Sequence, residues 1–136
     1  MLSVSWLPGY AEDGAVQAPE KPGQWNQLSA YIHITVENAV KLICPNPEFG
    51  QNVMTSLPMI LAEELDVDWK NVIVEMGPHD NVKLGPQFTG GSNSVRMYWK
   101  PLREAGATVR LMLRLAAAQI WNVPVDEIGT KSGLLV

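Results

Sequence analysis

The sequence predicts an α+β fold: a small antiparallel or mixed sheet, containing a β-hairpin, packed by two helical segments. Three observations carry that prediction. β-prone residues alternate through Tyr31-Ile32-His33-Ile34-Thr35-Val36 and resume in Ala39-Val40-Lys41-Leu42-Ile43. A helix-like apolar run from Asn52 to Leu65 precedes a further strand-like run, Asn71-Val72-Ile73-Val74-Glu75-Met76. A second helical region, opened by Thr89-Gly90-Gly91-Ser92-Asn93-Ser94, extends to Trp121 and completes the order β-β-α-β-α.

Residues 1–29 carry Pro8, Pro19 and Pro22 with Gly9, Gly14 and Gly23 and show little periodicity. They read as an extended arm or linker whose Trp6, Tyr10 and Trp25 are available for packing, with the domain proper over 30–136. Glu37-Asn38 reads as a two-residue hairpin turn, with Asn38 able to take positive φ. Pro45 and Pro47 end the second strand. In the first helix Val53, Leu57, Ile60 and Leu61 fall near one face. Pro58 implies either a start near Thr55 or a kink. Gly77 to Phe88 has no periodicity and reads as a loop long enough to have a role. Pro101 and Gly106 are expected to kink or divide the second helix, whose part from Ala107 to Ile120 is rich in Leu and Ala. Val123–Ile128 reads as a turn or short helix, and Gly133–Val136 as the start of another strand.

At 136 residues, 46% hydrophobic and 18% charged, the chain is long and apolar enough for one domain with a core. No run approaches the roughly 18 apolar residues of a membrane span. The first residues have neither a positive n-region nor an apolar h-region, so no signal peptide is expected in this chain. A net charge of −4 argues against a nucleic-acid partner. The basic residues between Arg96 and Arg114 have helical spacing and read as a solvated helix face. Cys44 is alone, which excludes an internal disulfide, and its apolar setting predicts a buried, inert thiol. His33 and His79 lack partners at metal-ligand spacing, and Glu63 and Glu64 are adjacent, so neither a metal site nor a carboxylate pair is predicted. Glu48 and His79 read as surface residues. No catalytic residue is assigned.

Two helix starts remain. Gly50-Gln51-Asn52 and Gly90-Gly91-Ser92-Asn93-Ser94 each sit at a predicted helix N-terminus, where unpaired N–H groups and partial positive charge suit an anion. Glycine lets a ligand approach those groups, and Gln, Asn, Ser and Thr add neutral donors and acceptors. Ordinary capping explains the same residues. Neither stretch is a Walker loop or a GxGxxG fingerprint.

The segment EFGQNVMTSLPMILAEELDVDWKNVIVEMGP resembles the large subunits of molybdenum hydroxylases, the xanthine dehydrogenase and aldehyde oxidase family, in their E-M-G-Q-G-x-x-T pattern with a following A-E-E-L helix. TGGSNSVRMYWKPLREAGA is similar to the same family's T-G-G-S-x-S-V-R segment and its W-x-P-L-R-x-A-G-A continuation. The likeness covers roughly residues 26 to 136, which it implies are part of a molybdenum-cofactor-binding domain. It implies that Gly50 and Gln51, with Asn52 beside them, approach a molybdopterin cofactor, in its cytosine dinucleotide form. It implies that Thr89, Ser92 and Ser94, next to Gly91, contact the pterin or its phosphate-bearing tail. Phe49 replaces the family methionine and Asn52 the second glycine, which puts a side chain where bare backbone would meet the ligand. The family's Gly-Gly-Phe-Gly motif and catalytic glutamate do not occur in these 136 residues. The implied role is one wall of a cofactor site, with no cofactor held and no turnover by the chain alone. The implied partners are the rest of the large subunit and an iron–sulfur small subunit. A homodimer of the isolated domain is a further expectation, and the compartment, periplasmic or cytoplasmic, is left open. A competing reading is a non-enzymatic module of the same descent that binds a ligand or a protein.

Overall fold

A computed structural model describes residues 24–136. Trp6 and Tyr10, and most of the arm expected over 1–29, lie outside the described residues. Strands β1 (Asn26–Gln27), β2 (Ile32–Ile34), β3 (Val40–Cys44) and β4 (Val72–Met76) form one sheet in the order β1-β2-β3-β4. The first two pairings are antiparallel and β3–β4 is parallel, so the sheet is mixed. A parallel neighbour requires a crossover, and helix α1 (Val53–Leu65) supplies it. Helix α2 (Ser94–Trp121) then packs along α1. Strands β5 (Thr130–Lys131) and β6 (Leu134–Leu135) form a separate hairpin around Ser132-Gly133, both at positive φ as a primed two-residue turn demands. No described helix is long and apolar enough to cross a membrane.

The strand period of two sorts the sheet. Ile32, Val40, Leu42 and Cys44 point into the core, joined by half-buried Val72 and Val74. They meet Val53, Leu57, Leu61, Ala62 and Leu65 of α1 and Tyr98, Leu102 and Val109 of α2. Lys41, paired in register with His33 and Ile73, lies on the other face, where it bonds Glu75 at 2.8 Å and sits 4.5 Å from the Trp25 ring.

The structure differs from the sequence-based expectations in four places. The first hairpin is longer than a two-residue turn: Thr35 and Ala39 close a loop of Val36-Glu37-Asn38, with Thr35 Oγ1 accepting from the Glu37 and Ala39 amides. Asn38 does take positive φ, 65°, the left-handed position of a three-residue hairpin loop. Helix α1 starts at Val53, not near Thr55, and carries a buried Pro58 in its interior. Helix α2 is not divided, and runs through Pro101 and Gly106 for 28 residues. Gly106 is where α1 crosses: a Cβ there would lie 2.8 Å from Glu64 Cβ and 2.9 Å from the Leu61 carbonyl. Finally, the basic side of α2 is solvated only in part: Arg96 and Lys100 lie exposed as expected, whereas three arginines reach partners outside the helix. Arg103 pairs with Glu64, Arg110 lies 3.5 Å from Asp66, and Arg114 donates to the Ile128 and Val125 carbonyls at 2.7 and 2.9 Å.

Candidate functional site

At the end of β3 the chain reads Cys44-Pro45-Asn46-Pro47 before turning into α1. In the loop that follows, Gly50 has φ 106° and Asn52 has φ 61°. These left-handed positions turn successive N–H groups inward. What they meet is Glu48. Its Oε1 accepts from the Gly50 and Asn52 amides at 2.7 and 3.0 Å, and its Oε2 from the Met54 amide at 3.0 Å. The Met54 bond first, then those from Gly50 and Asn52, hold this carboxyl below its usual range. Gln51 also serves the loop, since its Oε1 accepts from the Phe49 amide at 2.8 Å and its Nε2 donates to the Pro47 carbonyl at 2.9 Å. The start of α1 is therefore filled by the chain's own carboxylate. Phe49 stands 72% exposed at the loop tip, and Gly50 has open space around it.

The second loop arrives from β4 through residues 77–93, which are tied down on the way. The Tyr98 hydroxyl of α2 donates to the Leu84 carbonyl at 2.7 Å and accepts from the Gln87 amide at 3.2 Å. Gln87 spans the loop, accepting from the Asp80 amide and donating to the Pro78 carbonyl. Gly91 and Ser92 follow at φ 58° and 55°, with Ser92 exposed and Gly91 open to solvent beside it, and Asn93 precedes α2 without a side-chain cap bond. Among the described residues, the Ser94, Val95 and Arg96 N–H groups find no hydrogen-bond acceptor. No acidic residue occupies that first turn. The two helix starts differ in kind: one is plugged, the other open.

Sequence reasoning missed the residue that joins them. Asn46, fully buried, donates from Nδ2 to the Phe88 carbonyl and to Ser94 Oγ, both at 2.9 Å. Thr89 Oγ1 donates to the Pro47 carbonyl at 2.9 Å. Thr89 and Ser94 of the second motif are thus bolted to the strand end that launches the first. Gly50, Gln51, Asn52, Gly91 and Ser92 are exposed on these joined loops. The signal for Asn46 was its place between two prolines. Neither proline has an N–H, so every donor in this stretch belongs to Asn46, as its backbone N–H or its side-chain amide. Asn46 Oδ1 is buried and has no partner.

Cys44 lies beneath this junction, fully buried, with Sγ 3.4 Å from the Asn46 carbonyl and 3.6 Å from that of Val53. Burial pushes its thiol pKa up, so it stays neutral and unreactive, as its sequence setting predicted. A cavity of about 270 Å³ lies at the opposite ends of β3 and α1, between Val40, Leu65, Arg110 and Leu134. None of the sequence-predicted site residues lines it.

The model of the molybdopterin cofactor-binding domain matches residues 11–136. The beta chain of the isoquinoline 1-oxidoreductase of Brevundimonas diminuta is 35% identical over 140 residues, covering 96% of this chain and 17% of that protein. The membrane-bound aldehyde dehydrogenase (pyrroloquinoline-quinone) of Gluconacetobacter polyoxogenes is 33% identical over 129 residues, covering 95% of this chain and 15% of that protein. One of the subunits of the nicotinate dehydrogenase of Pseudomonas putida is 26% identical over 110 residues, covering 81% of this chain and 9% of that protein. The chain thus spans less than a fifth of the length of these relatives. Their names differ in the compound acted on and, for one, in the cofactor, whereas the matched domain is defined by molybdopterin. On the strength of that match over nearly its whole length, the chain belongs to the molybdopterin cofactor-binding domain family.

Proposed function

We propose that the chain contributes one wall of a molybdopterin site in a molybdenum hydroxylase large subunit. The observation that carries this reading is the junction itself. Asn46 and Thr89 clamp the two motif loops together, and beside that clamp α2 presents three unpartnered N–H groups.

The residues present fit a phosphate-bearing, heteroatom-rich group at the second motif. Gly91 and Ser92 leave the backbone accessible, Ser94 Oγ lies within the clamp, and the helix start supplies positive partial charge. Asn46 Oδ1 is an acceptor still lacking a donor, which suits a ligand rich in N–H groups or a water bound with it. At the first motif the fit is of another kind. Because Glu48 takes up the inward N–H groups, Gly50 offers an open backbone surface and Gln51 its one remaining amide proton and lone pair. Asn52 takes a left-handed backbone, a conformation asparagine tolerates as glycine does, so the loop turns there without a glycine.

Thr89, Gly91, Ser92 and Ser94 would hold the pterin or its tail, and Gly50, Gln51 and Asn52 would border it. When bound in the complete large chain, the cofactor supplies the redox centre for hydroxylating an electron-poor carbon of an N-heterocycle or aldehyde with oxygen from water. The tail is the cytosine dinucleotide form, and the remainder of the large subunit and an iron–sulfur subunit are the partners. The isolated chain neither retains the cofactor nor turns over, because affinity distributed over several segments is lost when most are missing. The arm over 1–29 and the domain over 30–136 complete this proposal, with the qualification that β1 brings Asn26 and Gln27 into the sheet.

The test is a titration of the ¹⁵N-labelled chain with inorganic pyrophosphate. Shifts at Gly91 and Ser94–Arg96 are expected, and silence there would remove the physical support for the reading.

A further inference from the structure

In sequence the two helix starts are equivalent candidate anion sites, and the structure separates them. Around α1, three N–H groups from alternate residues, Gly50, Asn52 and Met54, converge on one carboxylate and engage both of its oxygens. No ion pair involves that carboxylate among the described residues, so its counter-charge is the amide nest together with the positive end of α1. The loop turns through Gly50 and Asn52 in left-handed conformations, and Gln51 ties its own amide to Phe49 and Pro47. Glu48 therefore takes up the three inward amides, while Gln51 braces the loop from outside. At α2 the residue four before the N-cap is Thr89, and no carboxylate accepts from the first-turn amides among the described residues.

We propose that Glu48 is a positioning residue: the resident anion of the α1 nest, which excludes an external anion from it and fixes Gly50 and Gln51 in the shape they present to a ligand. Glu48 is far from interchangeable with a surface carboxylate, the role its sequence position suggests. It directs the anionic group of any ligand to α2 alone. This deepens the proposed cofactor site and rests on it for what the loop faces. The closure of the nest stands on the three amide bonds by themselves.

The experiment is chemical rescue of Glu48→Ala in this chain, read by ¹H–¹⁵N amide shifts and by Tm. Acetate is expected to move the Gly50, Asn52 and Met54 amides of the variant back toward their native positions and to raise its Tm. The native chain, its nest filled, is expected not to respond at those amides to either acetate or pyrophosphate. Failure of acetate to rescue the variant overturns the proposal, and so does a native chain whose Gly50–Met54 amides respond to pyrophosphate. Where the alanine variant does not fold, Glu48→Gln serves. Faster amide exchange at Gly50, Asn52 or Met54 is expected there, and native exchange at all three overturns the proposal. Failure of the cofactor reading looks different: silence at Gly91 and Ser94–Arg96 in the native chain, with acetate rescue of the variant intact.

Discussion

Asn46 couples two segments more than forty positions apart through one amide, donating to the Phe88 carbonyl and to Ser94 Oγ. Asn46→Ala removes both bonds and leaves a small void under the loop. The expected cost is about 1–3 kcal/mol, measured by denaturant unfolding, because each lost partner leaves a partly buried acceptor unpaired. Amide exchange at 88–94 should quicken more than exchange in β3, since the clamp and not the strand is what the change removes. Glu48 yields a pH prediction. Its folded-state pKa is depressed, chiefly by the Met54 amide bond, so its contribution to stability is complete above its unfolded value near 4.5 and is lost as pH falls through the lower folded value. Asp68, held down chiefly by its Lys70 partner, contributes with the same sign. The native chain should therefore lose stability on acidification faster than Glu48→Gln, with the two unfolding curves converging at the acid end. The candidate loops are legible in the sequence because glycines and small polar residues mark helix starts. The clamp is not, because a hydrogen bond between positions 46 and 94 leaves no local pattern. Glu48 reads as a surface residue for a related reason: a carboxylate that reaches forward to amides two, four and six residues on matches no standard capping spacing.

At the scale of elements, the crossing of α1 and α2 depends on Gly106. A Cβ there meets Glu64 Cβ and the Leu61 carbonyl at under 3 Å, and the carbonyl is backbone that cannot rotate away. Gly106→Ala gains about 1 kcal/mol of helix propensity. Overpacking at the crossing costs about 1–3 kcal/mol. Net destabilisation is the expected outcome in thermal unfolding, and a stabilised variant would show that the helices separate freely. The same residue explains one misreading of the sequence: glycine within a helix suggests a break, whereas here the absent side chain lets the partner helix approach. The periodicities that place β2, β3, α1, β4 and α2 are local, so the sequence shows them directly. Which strands pair in parallel is set by the α1 crossover, and the length of the first hairpin loop by Thr35 and Asn38. Arg103, Arg110 and Arg114 illustrate the limit well. Their helical spacing is visible in the sequence, but their partners, Glu64, Asp66 and the Val125 and Ile128 carbonyls, come from other elements.

The molecule as a whole has more apolar surface than its core uses. Leu111, Met112 and Leu115 of α2 are 47%, 46% and 44% exposed, and at 100° per residue Leu111 and Leu115 project away from the face that buries Val109. Val95, Met97 and Trp99 add exposed apolar area toward the other end of the helix. Strand β4 has one neighbour, β3, and no pairing on its other edge among the described residues. A chain spanning 17% or less of its relatives' length has, in those relatives, much further polypeptide available to cover such surfaces. Isolated, it should self-associate through them, since apolar surface left open in water is a driving force for association. Sedimentation at increasing concentration should show species heavier than 15.0 kDa. The double change Leu111→Glu with Leu115→Glu should return the chain to a monomer. It should alter unfolding stability by no more than about 0.5 kcal/mol per site, because neither side chain is in the core. A native chain that stays monomeric throughout would favour the competing reading, a module that stands alone with α2 open to solvent. A double variant that unfolds would place Leu111 and Leu115 in the packing of this domain and remove them from its outer surface.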